Sequence, residues 1–236
     1  MSSKKSAEPI KSGLLLIDKP QGFTSHDVIA VSRRILNTKK IGHSGTLDPM
    51  ATGLLILLVG REATRRQDEF LKTNKTYAAT LKLGIETDTW DAQGDIISRQ
   101  AIPEISPQTL TKAISDLSGC IRQPIPFYSA KRIGGCHMYD LARSGAEMER
   151  KYNEVTVSWE QVRFTASDEI SFILHGSCGT YVRSLGYMLA ENLGTKGHLS
   201  SLRRLKIGPY SAEDAFDGNL LKQTTTDELY GHIVSL

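Results

Sequence analysis

Residues 41–55 read Ile-Gly-His-Ser-Gly-Thr-Leu-Asp-Pro-Met-Ala-Thr-Gly-Leu-Leu, a glycine-rich loop with one carboxylate, Asp48. Behind it runs an apolar segment, Leu54 to Val59, closed by Gly60. A loop can present an acid while the adjacent strand holds it still, so this is a place for chemistry. A Walker-type phosphate cradle needs a Lys-Ser/Thr pair after its last glycine, and none is present. A nucleophilic-serine elbow needs Gly-x-Ser-x-Gly, but Gly42-His43-Ser44-Gly45 brings the second glycine one residue early. Two readings remain. One is a carboxylate acting as nucleophile or base, with His43 and the glycines shaping the approach. The other is an Asp-Pro pair that only starts a turn.

Such a loop must be carried by regular elements. Strand-like segments are Gly13–Asp18, Leu54–Val59, Tyr77–Leu83, Asp95–Arg99, Val155–Phe164 and Ile170–His175. Tyr77, Ala79, Leu81 and Leu83 alternate with Ala78, Thr80 and Lys82, as on a half-buried strand. Ser25 is placed to cap a helix reaching about Leu36, and Ser106-Pro107 to start another that stops at Gly119. A third runs from Thr180 to Leu193 and ends at Gly194. Strands and helices intermix without a regular βαβ alternation, which predicts an α+β fold with a largely antiparallel sheet.

A chain of 236 residues, 39% hydrophobic and 23% charged, has the composition of an ordinary globular protein. Its longest apolar run, Leu54–Val59, is far below a membrane span. Met1–Ser12 is polar and reads as a flexible tail. Cys120, Cys136 and Cys178 form no close pair and suggest reduced thiols in the cytosol, each a small buried hydrophobe. Net charge is only +3, but its distribution is uneven. Arg33, Arg34, Lys39 and Lys40 fall in a stretch without acids, as do Lys196, Arg203, Arg204 and Lys206. Such segments fit a polyanion or a solvated surface. Asp88, Asp91 and Asp95 with Gly94 resemble a calcium loop, but Gln100 stands where its glutamate ligand belongs. They read instead as a polar turn close to the cleft.

The Asp48 loop resembles the catalytic motif of the TruB family of tRNA pseudouridine synthases. Further matching segments follow in the family's order. They are Gly13-Leu14-Leu15-Leu16-Ile17-Asp18-Lys19-Pro20, Lys75-Thr76-Tyr77, Thr87-Asp88-Thr89-Trp90-Asp91 and Pro126-Phe127-Tyr128-Ser129-Ala130-Lys131. Gly179-Thr180-Tyr181-Val182-Arg183 and His198-Leu199-Ser200-Ser201-Leu202-Arg203-Arg204 complete the series. The resemblance covers about residues 13–210. It implies the pseudouridine synthase fold, a mixed, mostly antiparallel central sheet with flanking helices. It also makes residues 120–150 a thumb-like RNA-gripping insertion. Bacterial members usually continue into a small RNA-binding module of the PUA type. The acidic stretch 211–236 is too short for a complete one and reads as a short extension.

The implied reaction isomerises uridine to pseudouridine in RNA, specifically the T-loop uridine of tRNA conventionally numbered 55, and needs no cofactor or metal. The resemblance makes Asp48 the catalytic residue and Arg183 its partner, since a guanidinium keeps a buried carboxylate ionised and oriented. Tyr77, alone a strand aromatic of the core, becomes the ring against the uracil and a candidate for the C5 proton. Tyr181 and Leu202 map to positions lining the uridine pocket. His43 maps to the residue inserted where the flipped base left. Lys19 and Pro20 take a structural role beneath the loop. Candidates for RNA-backbone contact are Arg33, Arg34, Lys39, Lys40, Lys131, Arg132, Lys196, Arg203 and Arg204. The expected partner is tRNA, through its T-arm, with no membrane and no obligate protein partner. Other readings are a dyskerin-like, guide-dependent synthase, a non-catalytic tRNA-folding module, and a glycoside hydrolase, for which no motif supplies the second carboxylate.

Overall fold

The computed structural model describes residues 12–129, 132–133, 136–137 and 149–236, the side chains of 132–133 and 136–137 excepted. Most of the expected N-terminal tail and about half of the thumb-like insertion, Lys131 and the Arg132 side chain among them, lie outside the described residues.

The chain begins with β1 (Gly13–Lys19), α1 (Ser25–Ile35), β2 (Ile41–His43) and β3 (Thr52–Val59). Two short helices, α2 (Gly60–Arg65) and α3 (Gln67–Lys72), lead into β4 (Lys75–Leu83). A hairpin of β5 (Ile85–Thr87) with β6 (Ile96–Arg99) precedes α4 (Pro107–Asp116) and β7 (Gly119–Pro124). The two-residue strands β8 (Arg132–Ile133) and β9 (Cys136–His137) pair with each other. Next come β10 (Tyr152–Ala166), β11 (Glu169–Gly176), α5 (Val182–Asn192) and β12 (Gly197–Ile207). Short pieces follow: β13 (Tyr210–Ser211), β14 (Phe216–Asp217), α6 (Thr226–Gly231) and β15 (Ile233–Val234).

One sheet organises these pieces in the order β14-β1-β3-β12-β4-β11-β10-β7, with β2, β13 and β15 paired at its margins. Only β1–β14 and β3–β12 are parallel. The sheet is therefore mixed and mostly antiparallel, as expected. On β4 the alternation holds throughout: Lys75, Tyr77, Ala79, Leu81 and Leu83 point inward. Their face packs on α4 and α5 through Leu110, Leu117, Leu185 and Leu189. The continuous apolar runs of β1 and β3 have a different cause. Leu15, Ile17, Leu55 and Leu57 face α1, while Leu14, Leu16, Leu54 and Ile56 face α3 and Ile207. Strands covered on both faces read as unbroken hydrophobic sequence. Each fully buried leucine there contributes about 1.5–3 kcal/mol.

Several expectations change. Thr24, not Ser25, caps α1, in a reciprocal box with Asp27. The Ser25 hydroxyl turns instead to the Asp48 loop and accepts from Leu47 N at 2.9 Å. Residues 197–207, read as part of a basic surface segment, form β12 in the middle of the sheet. Residues after Tyr210 are built into the fold: β14 and β15 pair with β1, and Leu229 and Ile233 enter the core. Cys120 and Cys178 are exposed, because β7 is an edge strand and Cys178 lies in the turn before α5, so neither is the buried hydrophobe expected. Among the described residues, no helix is long and apolar enough to cross a membrane.

Candidate active site

The Asp48 loop joins β2 to β3 and is pinned at successive points. His43 Nδ1 accepts from Gly45 N at 3.0 Å, which places the imidazole proton on Nε2. Ser44 is buried and bonds Ile56 through both its backbone N–H and its hydroxyl. Ala51 N donates to Asp48 O at 3.1 Å, closing the Asp-Pro turn, and Pro49 O accepts from Gly22 N at 3.0 Å. The turn reading and the chemical reading of Asp48 are thus compatible. Gly53, at φ +98°, lets β3 pass β12, since a Cβ there would sit 2.2 Å from Arg204 O.

Besides Arg183, three buried cations surround the loop. Lys19 is fully buried and donates to the carbonyls of Phe23 (2.6 Å), Pro20 (3.0 Å) and Pro49 (3.4 Å). Burial lowers its pKa to about 8, with the Asp48 carboxylate opposing the shift. Lys75 donates to the carbonyls of Thr73 and Leu71, and burial, then Arg204, lowers its pKa to about 8. Arg204 is 1% exposed. Its Nε donates to Leu54 O at 2.7 Å and its Nη2 to Gly45 O at 3.1 Å, and it hydrogen-bonds Tyr77. Assignment of Arg204 to the RNA backbone is therefore corrected: carbonyls of the loop hold its guanidinium inside the protein.

Arg183 enters from the start of α5. Its Nε lies 2.9 Å from Asp48 Oδ2, and its Nη2 donates to Asp48 Oδ1 at 2.9 Å, a two-point fork. The arginine side chain is 4% exposed and the aspartate 31%, so the cation is internal and the carboxylate faces out. Arg183 also donates to Thr89 O and Tyr128 O, each at 2.8 Å, and its Nη1 lies 3.5 Å from Asp91 Oδ2. Asp91, expected only as part of a polar turn near the cleft, thus touches the site. The sequence signal for it was there, in the run of acids at 88, 91 and 95.

Asp48 borders a cavity of about 860 Å³ shared with His26, His43, Asp91, Tyr128 and Arg183. His43 and His26 meet edge to face at 6.1 Å between centroids. Burial, then His26 and Arg204, lowers the His43 pKa to about 4. Tyr77 and Leu202 belong to the core cluster that includes Leu47 and Met50 of the loop, not to the cavity wall. Burial raises the pKa of Tyr77, with Arg204 opposing the shift. Tyr181, half-buried, precedes α5; its backbone N–H donates to Gln123 Oε1 at 3.2 Å. Gln123, fully buried, also donates to Gly179 O at 2.8 Å and so fixes the turn into α5. Nothing in the sequence singled it out.

Among the other basic candidates, Arg33, Arg34, Lys39 and Lys40 are exposed on α1 and the turn after it. Arg203 is held by Asp18 at 2.9 and 2.6 Å, and Lys196 by Glu86 and Glu191 at 3.3 and 2.8 Å.

Solved structures share this architecture. A chain of a Cbf5–Nop10–Gar1 complex superposes with TM-score 0.68 at 27% identity, over 90% of this chain and 54% of that one. A chain of an H/ACA RNP bound to a substrate RNA containing 2′-deoxyuridine gives TM-score 0.66 at 25% identity, over 96% and 59%. The fold is that of the pseudouridine synthases. The TruB family pseudouridylate synthase (N-terminal domain) description matches residues 33–182. The tRNA pseudouridine synthase B of Chlamydia trachomatis serovar L2 is 42% identical over 211 residues, covering 89% of this chain and 87% of that protein. That of Aromatoleum aromaticum is 43% identical over 206 residues, covering 87% and 66%. The chain belongs to the TruB family of pseudouridylate synthases.

Proposed function

We propose that this protein isomerises uridine to pseudouridine in tRNA, at the T-loop uridine numbered 55, with Asp48 as the catalytic carboxylate. The observation that carries the site is the fork between Asp48 and the buried Arg183 at the edge of an open cleft. In the reaction the C1′–N1 bond breaks, the uracil turns, and C5 bonds to C1′. The C5 proton leaves and N1 gains one, so the change balances without redox, hydrolysis or a cofactor. A carboxylate is the side chain that glycosidases also place at an anomeric carbon. Arg183 holds the Asp48 carboxylate at two points and aims it.

A uridine inside a folded loop reaches Asp48 only when extruded, at a cost of roughly a few kcal/mol. His43, neutral and fixed at the cavity border, is the side chain that fills the vacated stack. Tyr77, in the core with its hydroxyl on Arg204, supports the Asp48 loop from behind. Exposed Arg33, Arg34, Lys39 and Lys40 meet phosphates of the T-arm. The protein works alone, in the cytoplasm. The direct test incubates an unmodified tRNA transcript with the purified protein and maps pseudouridine by chemical probing. Modification confined to the T-loop supports the reading. An unmodified transcript, or product only after a guide RNA or protein partner is added, refutes it.

A further inference from the structure

The loop between β5 and β6 carries a tryptophan in an unusual conformation. Trp90 has φ +59°, in the left-handed region that bulky residues avoid. Such a conformation persists only where the surroundings over-determine it, and it concentrates at functional sites. Here the surroundings are specific. Trp90 is 3% exposed, and its ring stacks on Tyr187 of α5, with centroids 4.4 Å apart and planes 14° from parallel. Its Nε1 donates to Glu86 Oε1 at 3.3 Å. The Arg150 guanidinium lies over the same ring at 4.6 Å, and over the Phe127 ring at 4.5 Å.

Each of the two rings bridged by Arg150 is next in sequence to a group that holds Arg183. Thr89 and Asp91 flank Trp90; the first gives its carbonyl to Arg183 Nη1 at 2.8 Å, and a carboxylate oxygen of the second lies 3.5 Å from that atom. Tyr128 follows Phe127 and gives its carbonyl to Arg183 Nη2 at 2.8 Å. Two separate stretches of chain therefore have to stay in mutual register for the fork on Asp48 to form. No direct hydrogen bond between those stretches is needed if one planar cation sits on both rings.

We infer that Arg150 and Trp90 are positioning residues: together with Phe127 they clamp residues 89–91 to 127–128 and so hold the Arg183 guanidinium square to Asp48. The inference rests on the proposed roles of Asp48 and Arg183. Arg150→Met removes the cation and keeps an apolar stem. Trp90→Gly keeps the left-handed turn, which glycine adopts freely, and removes the ring. Arg150→Lys keeps the charge.

The experiment measures single-turnover tritium release from C5-labelled tRNA, tRNA affinity by filter binding, and the thermal midpoint, with Asp48→Asn as reference. Expected for Arg150→Met is a chemical step slowed about ten- to a hundredfold, the scale of a misplacement near 1 Å, with affinity and midpoint unchanged; Trp90→Gly should slow that step by as much and also lower the midpoint, because it removes a buried ring. Arg150→Lys should recover part of the rate. Removal of Arg150 should also shift the Trp90 emission, read in a Trp159→Phe background. An inert Asp48→Asn beside Arg150→Met at full rate would overturn the clamp alone. Rate and affinity falling together by one factor would make Arg150 an RNA contact instead. Turnover in Asp48→Asn would remove the reading on which the clamp stands.

Discussion

Asp48 and Arg183 touch at two points, so charge and shape can be varied separately. Asp48→Asn keeps the size of the side chain and removes the negative charge. Isomerisation should be abolished while tRNA binding survives, which tritium release beside filter binding will show; any retained turnover sinks the assignment. Arg183→Lys keeps the charge but loses the planar fork that meets both oxygens. Its single-turnover rate should drop about a hundredfold, and a near-normal rate would show that Arg183 does not orient Asp48. His43 gives a pH signature. Its folded pKa is about 4 against an ordinary 6.5, chiefly through burial. Between those values the unfolded chain binds the proton and the folded one does not, so this contribution to stability is present above 6.5 and lost as pH falls through 4. His43→Gln should therefore lose less stability than the parent between about pH 7 and about pH 4.5 in urea melts. An equal loss in both would contradict it.

At the scale of elements, β3 and β12 approach each other tightly at Gly53. Any Cβ there meets backbone atoms of Arg204 at 2.2 and 2.7 Å, and the φ of +98° is itself strained for other residues. Gly53→Ala should cost upwards of about 3 kcal/mol and weaken activity, because Arg204 leaves the Gly45 carbonyl as the strands part. An unchanged urea midpoint would refute that coupling. The same strand shows what the sequence concealed. β1, β3 and β4 were legible because their partners impose simple patterns, unbroken when both faces are covered and alternating when one is. β12 was not, since Arg203 and Arg204 side by side look solvated. Their partners, Asp18 on β1 and the carbonyls of Gly45 and Leu54, come from far along the chain. The Asp48 loop and Arg183 were readable from their motifs. Thr89, Gln123 and Arg150 were not, because they act through backbone carbonyls or through a guanidinium over rings, neither of which leaves a local pattern.

On the whole molecule, a net charge of +3 is too small to bind RNA by itself, so its distribution decides. With Arg204 internal and Arg203 and Lys196 paired to acids, Arg33, Arg34, Lys39 and Lys40 remain the exposed basic group of α1 and the turn after it. Affinity for tRNA should fall by about 0.7–0.9 log units per log unit of salt for each phosphate neutralised. Lys39→Ala with Lys40→Ala should weaken binding and flatten that slope without moving the modified site. An unchanged slope would show that this face makes no phosphate contact.

The place of β12 also bears on how the protein comes to exist. It lies between β3 and β4 yet is synthesised more than a hundred residues after them. At about 5–20 residues per second, their inner edges stand open on the ribosome for on the order of ten seconds. Open strand edges invite wrong partners. The strand that ends the wait brings Arg204, whose guanidinium ties down the Gly45 carbonyl. Until β12 arrives, the Asp48 loop lacks that tie and keeps only those made by the first sixty residues, through Gly22, Ser25 and Ser44.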